Sequence, residues 1–194
     1  WIGNCSSLNN LNLHLIRNNF HGSILNELGR LSSLEKFSLS DNNLSGNVPS
    51  FATHPSCVAK NQLHGELPPN ICINLSNLEE FYCGGNKFTG TIPASLSNSS
   101  RLRMLNLAEN GLTGTLLKIL EALNLTHIGM EKNYFSGSVP DGIGKLQNLQ
   151  ELYLNENKIF GPTPSSQGNL ISLRKLFVSE TRFEGSIPPS LGNC

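Results

Sequence analysis

Charge is scarce in this chain. Only 14% of its 194 residues are Asp, Glu, Lys or Arg, well below the roughly 25% of an ordinary soluble domain. The 14 basic and 14 acidic residues cancel, so no excess of one sign draws it to nucleic acid or to an anionic membrane surface. No apolar run reaches the roughly 18 residues that a membrane helix needs, and no direct membrane insertion by this segment is expected. Of the five cysteines, Cys5, Cys57, Cys72, Cys83 and Cys194, none forms a CxxC pair, which argues against a zinc site. His14, His21, His54, His64 and His127 show neither an HxxxH nor an HExxH spacing. There is no GxSxG, no P-loop and no kinase-type glycine-rich loop. The residues therefore offer no catalytic group, no metal and no cofactor.

What is abundant is Leu, Asn, Ser and Gly, and it is periodic. The segments NNFHG, NNLSG, NQLHG, NKFTG, NGLTG, NYFSG, NKIFG and TRFEG end on Gly22, Gly46, Gly65, Gly90, Gly114, Gly137, Gly161 and Gly185. Their spacings are 24, 19, 25, 24, 23, 24 and 24 residues. Within a period the pattern is LxxLxxLxLxxNxLxGxIP, clearest from Leu31 through Phe37, Leu39, Asn42 and Leu44 to Gly46, Val48 and Pro49. The LxL step alternates apolar and polar and predicts a short strand with one buried face. An Asn follows at Asn18, Asn42, Asn61, Asn86, Asn110, Asn133 and Asn157. Its amide both donates and accepts, so at a turn it can satisfy backbone groups of neighbouring coils. Proline after the GxI step, at Pro49, Pro68, Pro93, Pro140, Pro164 and Pro188, removes a donor and excludes a long helix on the outer side. One unit cannot bury its apolar face alone; stacked units can. The expectation is an α/β repeat protein: one array over residues 1–194, about eight units of some 24 residues. It is a right-handed solenoid with a parallel concave sheet and an irregular or 3-10 convex side, cut through a unit at both ends.

The GxIP form of this repeat resembles the plant extracellular leucine-rich-repeat class, which includes receptor-like kinase ectodomains and polygalacturonase-inhibiting proteins. The stretch VAKNQLHGELPPNICINLSNLEEFYCGGNKFTGTIPASLSNSSRLRMLNLAENGLTG resembles more narrowly the receptor-like kinase subfamily that perceives bacterial proteins or peptides. The resemblance implies an extracellular ligand-recognition segment, at the plasma membrane or secreted to the cell wall, that binds a peptide or protein, with a co-receptor as a second partner. Two other readings stand beside it: a secreted inhibitor of a microbial wall-degrading enzyme, and a decayed repeat fragment without a ligand.

Several residues depart from the pattern. The unit at 47–65 is five residues short, and the deficit falls after Pro49, so a disrupted arc is expected at 49–56 with the strand at 56–58 short or absent. Leu25 and Leu117 replace proline, Thr181 replaces the last ladder Asn, and Gln167 stands where Leu belongs. Sequons at Asn4, Asn43, Asn74, Asn98 and Asn124 are candidate glycosylation sites for a secreted protein. Cys83, in the second Leu position of its strand, belongs in the core.

The phase of the repeat assigns an exposed concave face. Residues two and four before each ladder Asn point outward: His14 and Ile16, Ser38 and Ser40, Cys57 and Ala59, Tyr82 and Gly84, Asn106 and Ala108, Gly129 and Glu131, Tyr153 and Asn155, Phe177 and Ser179. Glu79, Glu80 and Glu151 also take solvent positions on strands. Tyr153 and Phe177 share a phase in adjacent units, which places them about 5 Å apart. Aromatic residues are enriched at binding hot spots. The candidate ligand contacts are Tyr82, Glu131, Tyr153, Asn155, Phe177 and Ser179.

Overall fold

The computed structural model describes residues 11–26, 34–49, 58–71, 78–116, 120–121, 123–187 and 189. Short strands alternate along the chain: β1 (Leu11–His14), β2 (His21–Ser23), β3 (Leu34–Ser38), β4 (Asn43–Gly46), β5 (Gln62–Glu66), β6 (Glu80–Tyr82) and β7 (Lys87–Thr89). They continue with β8 (Met104–Asn106), β9 (His127–Gly129), β10 (Ser136–Gly137), β11 (Glu151–Tyr153), β12 (Lys158–Pro162), β13 (Lys175–Phe177) and β14 (Arg182–Glu184). Every pairing is parallel and joins strands of successive units. The concave sheet runs β6-β8-β9-β11-β13, with β1-β3 paired beyond it.

Between those two groups lies the short unit. Residues 50–57 fall outside the described residues, and with them the expected broken arc and Ser56 and Cys57 of the expected weak strand. At 58–60 the backbone is in register on both sides: Val58 N–H donates to Tyr82 O (3.0 Å), Lys60 N–H to Gly84 O (2.7 Å), and Asp41 N–H to Ala59 O (3.0 Å).

A second row of strands was not expected from the sequence. β2-β4-β5-β7 and β10-β12-β14 lie just after the ladder position of their units, and after Asn110 only the isolated bridge Thr115–Ser136 forms. The cause is local. In NKFT of one unit Lys87 and Thr89 are exposed and Phe88 is fully buried, a two-residue alternation that suits a strand. Asn43 of the sequon set accordingly sits in β4. The outer side carries 3-10 turns at Ala94–Asn98, Asp141–Lys145 and Ser165–Asn169, each entered from a proline, Pro93, Pro140 and Pro164. Proline's fixed φ and missing N–H fit that first position.

The core is continuous along the array. Leu63, Phe81, Phe88, Leu105, Leu112, Ile128, Phe135, Leu152 and Ile159 are all buried to within 1%, and Cys83 is buried with them. Among the described residues the strands and 3-10 turns pack against those of the neighbouring unit, as stacking of incomplete apolar faces requires. The convex 3-10 turns pack tightly: a Cβ on Gly144 would lie 2.3 Å from Ser166 O in the next turn.

Candidate functional site: the concave sheet

The residue before each ladder Asn bends the chain out of the concave sheet. Arg17, Asp41, Lys60, Glu109, Lys132, Glu156 and Glu180 all have φ between 52° and 56°, and Gly85 has φ 67°. A left-handed conformation is uncommon for a side chain other than Gly, Asn or Asp, so the fold must hold it. The ladder Asn supplies part of that restraint. Asn133 Nδ2 donates to Leu107 O (3.0 Å), Met130 O (3.3 Å) and Glu131 O (3.1 Å), and its Oδ1 accepts Leu112 N–H at 3.0 Å. Asn42, Asn61, Asn86, Asn110 and Asn157 repeat this set. Asn18 is exposed and donates to Leu15 O and Ile16 O of its own turn. At Thr181 a hydroxyl donating to Val178 O (2.6 Å) takes the place of the amide.

The turn carries charge along one edge of the concave face. Arg17 and Lys60 flank Asp41 at 3.7 and 3.8 Å, and Lys132 meets Glu109 at 2.9 Å. Exposed pairs of this kind contribute little stability, but they set the electrostatics at the rim.

Two rows of side chains cross the sheet above this edge. In the first, Tyr82, Asn106, Gly129, Tyr153 and Phe177 are register partners. The rings of Tyr153 and Phe177 stack with centroids 5.0 Å apart and planes within 9°. Tyr82 lies across Asn106 and Gly129 from that pair, half-buried, with its hydroxyl donating to Met104 Sδ at 3.0 Å. Asn155 and Ser179 sit beside the stacked rings toward the rim, and Asn155 Nδ2 donates to Glu156 Oε1 at 3.4 Å.

The second row, six residues before the ladder position, is Glu80, Met104, His127, Glu151 and Lys175. It supports the aromatic pair from below. Tyr153 Oη donates to Glu151 Oε2 (2.8 Å), Lys175 Nζ lies 3.0 Å from Glu151 Oε1, and His127 Nε2 lies 3.8 Å from the same oxygen. Lys175 first, then the Tyr153 hydroxyl, holds the Glu151 carboxyl below its ordinary range. Glu151 in turn raises Lys175 and Tyr153. A counting rule of two and four before the Asn missed His127 and Lys175; one further step of two along the strand would have found them.

Elsewhere the outward phase does not mean exposure. Ser38 is 4% exposed and Ala108 6%, and Gly84 and Gly129 are buried. Small residues at these positions lie beneath their neighbours. Of the sequons, Asn43, Asn98 and Asn124 are exposed on β4, on the convex 3-10 turn and ahead of β9. None of these three is on the concave face. Asn4, Asn74, Cys5, Cys72 and Cys194 lie outside the described residues. Among the described residues no group of three His, Cys, Asp or Glu side chains could hold a metal ion, and no helix is long and apolar enough to cross a membrane.

Parallel concave strands at one per unit, an amide ladder behind them and a 24-residue sequence period define a leucine-rich-repeat solenoid. The Leucine Rich Repeat family profile matches residues 33–54, 77–99, 148–170 and 172–194. The relatives are plant receptors. The chain is 42% identical over 140 residues to Receptor-like protein 35 of Arabidopsis thaliana, covering 69% of this chain and 14% of that protein. It is 33% identical over 144 residues to a probable inactive receptor kinase of the same plant, covering 70% and 13%. The chain thus spans about a seventh of the curated relatives it matches. Among solved structures, the ectodomain of the Arabidopsis receptor kinase HAESA, in complex with an N-terminally extended IDA peptide hormone, superposes with TM-score 0.89. That match has 34% identity and covers 94% of this chain and 31% of that one. The TDR receptor gives TM-score 0.82 at 28% identity, covering 90% and 31%.

Proposed function

We propose that this chain is the ligand-sensing segment of a plant receptor ectodomain, on the extracellular side of the plasma membrane, and that a peptide or protein segment lies across its concave strands. The observation that carries the reading is the stacked Tyr153–Phe177 pair, fixed from below by Glu151 and Lys175. A rigid aromatic surface rimmed by polar groups (here Glu131, Asn155 and Ser179) has the composition of an interface core and rim. Two rotatable bonds per aromatic side chain, already restrained, keep the entropic cost of binding low. The positions of Asn43, Asn98 and Asn124 support the same face, because glycans there would leave the concave sheet open. Solved receptors of this architecture, the receptor kinase HAESA with the IDA peptide hormone and the plant peptide hormone receptor RGFR1 with RGF2, make a peptide the favoured ligand. One HAESA complex also holds the co-receptor SERK1, and a co-receptor ectodomain is the second partner in this reading. The finer placement, in the branch that perceives bacterial proteins or peptides for immune signalling, rests on the likeness of residues 58–114.

The test blocks one face at a time. Ala108→Ser turns Asn106-Leu107-Ala108 into a sequon on the concave sheet. The parent chain and this variant, each secreted from plant cells and shown to be glycosylated, are used to capture peptides from bacterial and plant extracts. The reading expects a peptide retained by the parent and lost by the variant. Equal retention by both would move the ligand to another face.

A further inference from the structure

We infer that Glu131 and Asn106, either side of the bare backbone at Gly129, form a subsite for a cationic side chain of the bound peptide, two residues along it from the side chain that lies on the aromatic pair. This rests on the concave-face reading and specifies its ligand chemistry.

The first row of the sheet has a gap in it. Tyr82 and Asn106 stand before Gly129, and Tyr153 and Phe177 after it. Two neighbouring side chains lean over the missing one. A Cβ on Gly129 would lie 3.1 Å from Asn106 Nδ2 and 3.4 Å from Glu131 Oε2. Asn106 reaches there because Gly84, on its other side, is also bare: a Cβ at Gly84 would come within 2.3 Å of Asn106 Oδ1. That Oδ1 accepts Ala108 N–H at 3.3 Å, while among the described residues Nδ2 has no acceptor. Glu131 Oε2 is closed off from solvent, also without a hydrogen-bond partner.

A carboxylate oxygen in that state is costly to the free protein. Burial pushes the Glu131 carboxyl above its usual range. Glu109 and Glu156 push the same way, and the residue's own backbone N–H and Lys132 offset part of it. Lys132 acts on it only at a distance: its ammonium is 2.9 Å from Glu109 and makes no hydrogen bond to Glu131 among the described residues. A cation brought by a ligand, with the Glu131 side chain turned out to meet it, would supply the missing partner, in a setting where charge-assisted hydrogen bonds are strong. Asn106 Nδ2 would meet a carbonyl of the same peptide.

Spacing fixes the ligand pattern. From Gly129 to the middle of the Tyr153–Phe177 pair is about one and a half strand separations, or roughly 7 Å. An extended peptide rises about 3.3 Å per residue, and residues two apart face the same way. A cation at one position and a flat apolar side chain two residues on fit the two subsites together.

The probes are four fluorescein-labelled nonapeptides of Gly and Ser with Phe at a fixed position and Arg, Gln, norleucine or Glu two residues before it. Anisotropy titrations use the whole chain at neutral pH, with melting curves to show that each variant is folded. The Arg peptide is expected to bind at least about tenfold tighter than the norleucine and Glu peptides. Glu131→Gln should erase that advantage and leave binding that depends on Phe. Gly129→Ala, which fills the gap without removing a charge, should do the same. The Tyr153→Ala/Phe177→Ala variant should weaken all four peptides alike. An Arg peptide no better than norleucine, no binding by any of the four, or an Arg advantage that survives Glu131→Gln overturns the subsite. An Arg advantage that depends on Glu131 but not on the aromatic pair keeps the subsite and sinks the aromatic anchor.

Discussion

Asn133 shows how much one residue carries. It is 5% exposed and closes four hydrogen bonds across three stretches of backbone. Asn133→Ala would orphan the buried Leu112 N–H, which costs about 1–3 kcal/mol, and would remove the donations to Leu107 O, Met130 O and Glu131 O, of which Leu107 O keeps Asn110 Nδ2 at 3.1 Å. A loss of at least about 2 kcal/mol in denaturant unfolding is expected, against less than about 1 kcal/mol for Asn18→Ala, whose bonds are local and exposed. The converse is available at Thr181. Thr181→Asn would place an amide where Leu154 O and Ile159 N–H occupy the places of Met130 O and Phe135 N–H in the Asn157 set, and should raise stability by about 1 kcal/mol. Urea melts of the three variants check all of this; a neutral Asn133→Ala would remove the ladder from the account.

The two concave carboxyls pull the pH dependence in opposite senses. Glu131 has a raised pKa in the folded chain, so its charged form opposes folding above that pKa, and the penalty fades as pH falls through it. Glu151 has a lowered pKa, so its contribution is present above the unfolded value and is lost as pH falls through the folded one. Glu131→Gln should therefore melt higher than the parent at neutral pH, with the gap closing on acidification. Thermal melts from neutral pH to below the ordinary carboxylate range measure it. A variant that melts lower at neutral pH would mean that Glu131 is satisfied in the free protein.

At the scale of elements, the same strand separates stability from recognition. In β11, Leu152 is 1% exposed and faces the core, while Tyr153 and its partner Phe177 of β13 stack on the outer side. Leu152→Ala should cost about 2–5 kcal/mol as a buried truncation. Removing the aromatic stack should cost only about 0.5–1.5 kcal/mol. The convex turns respond to volume. Gly144→Ala drives a Cβ to 2.3 Å from Ser166 O, a backbone atom that cannot swing away, and should cost about 1–3 kcal/mol by overpacking. Calorimetric melts rank these three; a harmless Gly144→Ala would show that the 3-10 turns are free to separate.

Taken as a whole, the molecule was legible where its order is periodic. The 24-residue spacing, the LxL alternation and the recurrent Asn and Pro point to stacked parallel strands, an amide-bearing turn and a helix-poor outer side. The same counting brought Tyr153 and Phe177 together from residues 24 apart. It stopped short of what depends on neighbours in three dimensions. The second row of strands went unread because counting followed the LxL step alone, although exposed Lys87, buried Phe88 and exposed Thr89 carry the strand pattern. The left-handed position was hidden because Arg17, Lys60, Glu109 and Lys132 are not residues that favour it; the amide ladder holds the backbone there. Exposure at Ser38, Gly84, Ala108 and Gly129 was misjudged because a small side chain pointing outward is covered by the larger ones beside it.

The central claim is that the concave sheet is the recognition surface and that Tyr153 with Phe177 is its anchor. Titration calorimetry with the peptide captured from extracts, comparing the parent chain with Tyr153→Ala/Phe177→Ala, tests it most directly. The account predicts a loss of at least about 2 kcal/mol in binding with a melting temperature close to the parent's. A folded double variant that binds the peptide as tightly as the parent would contradict it.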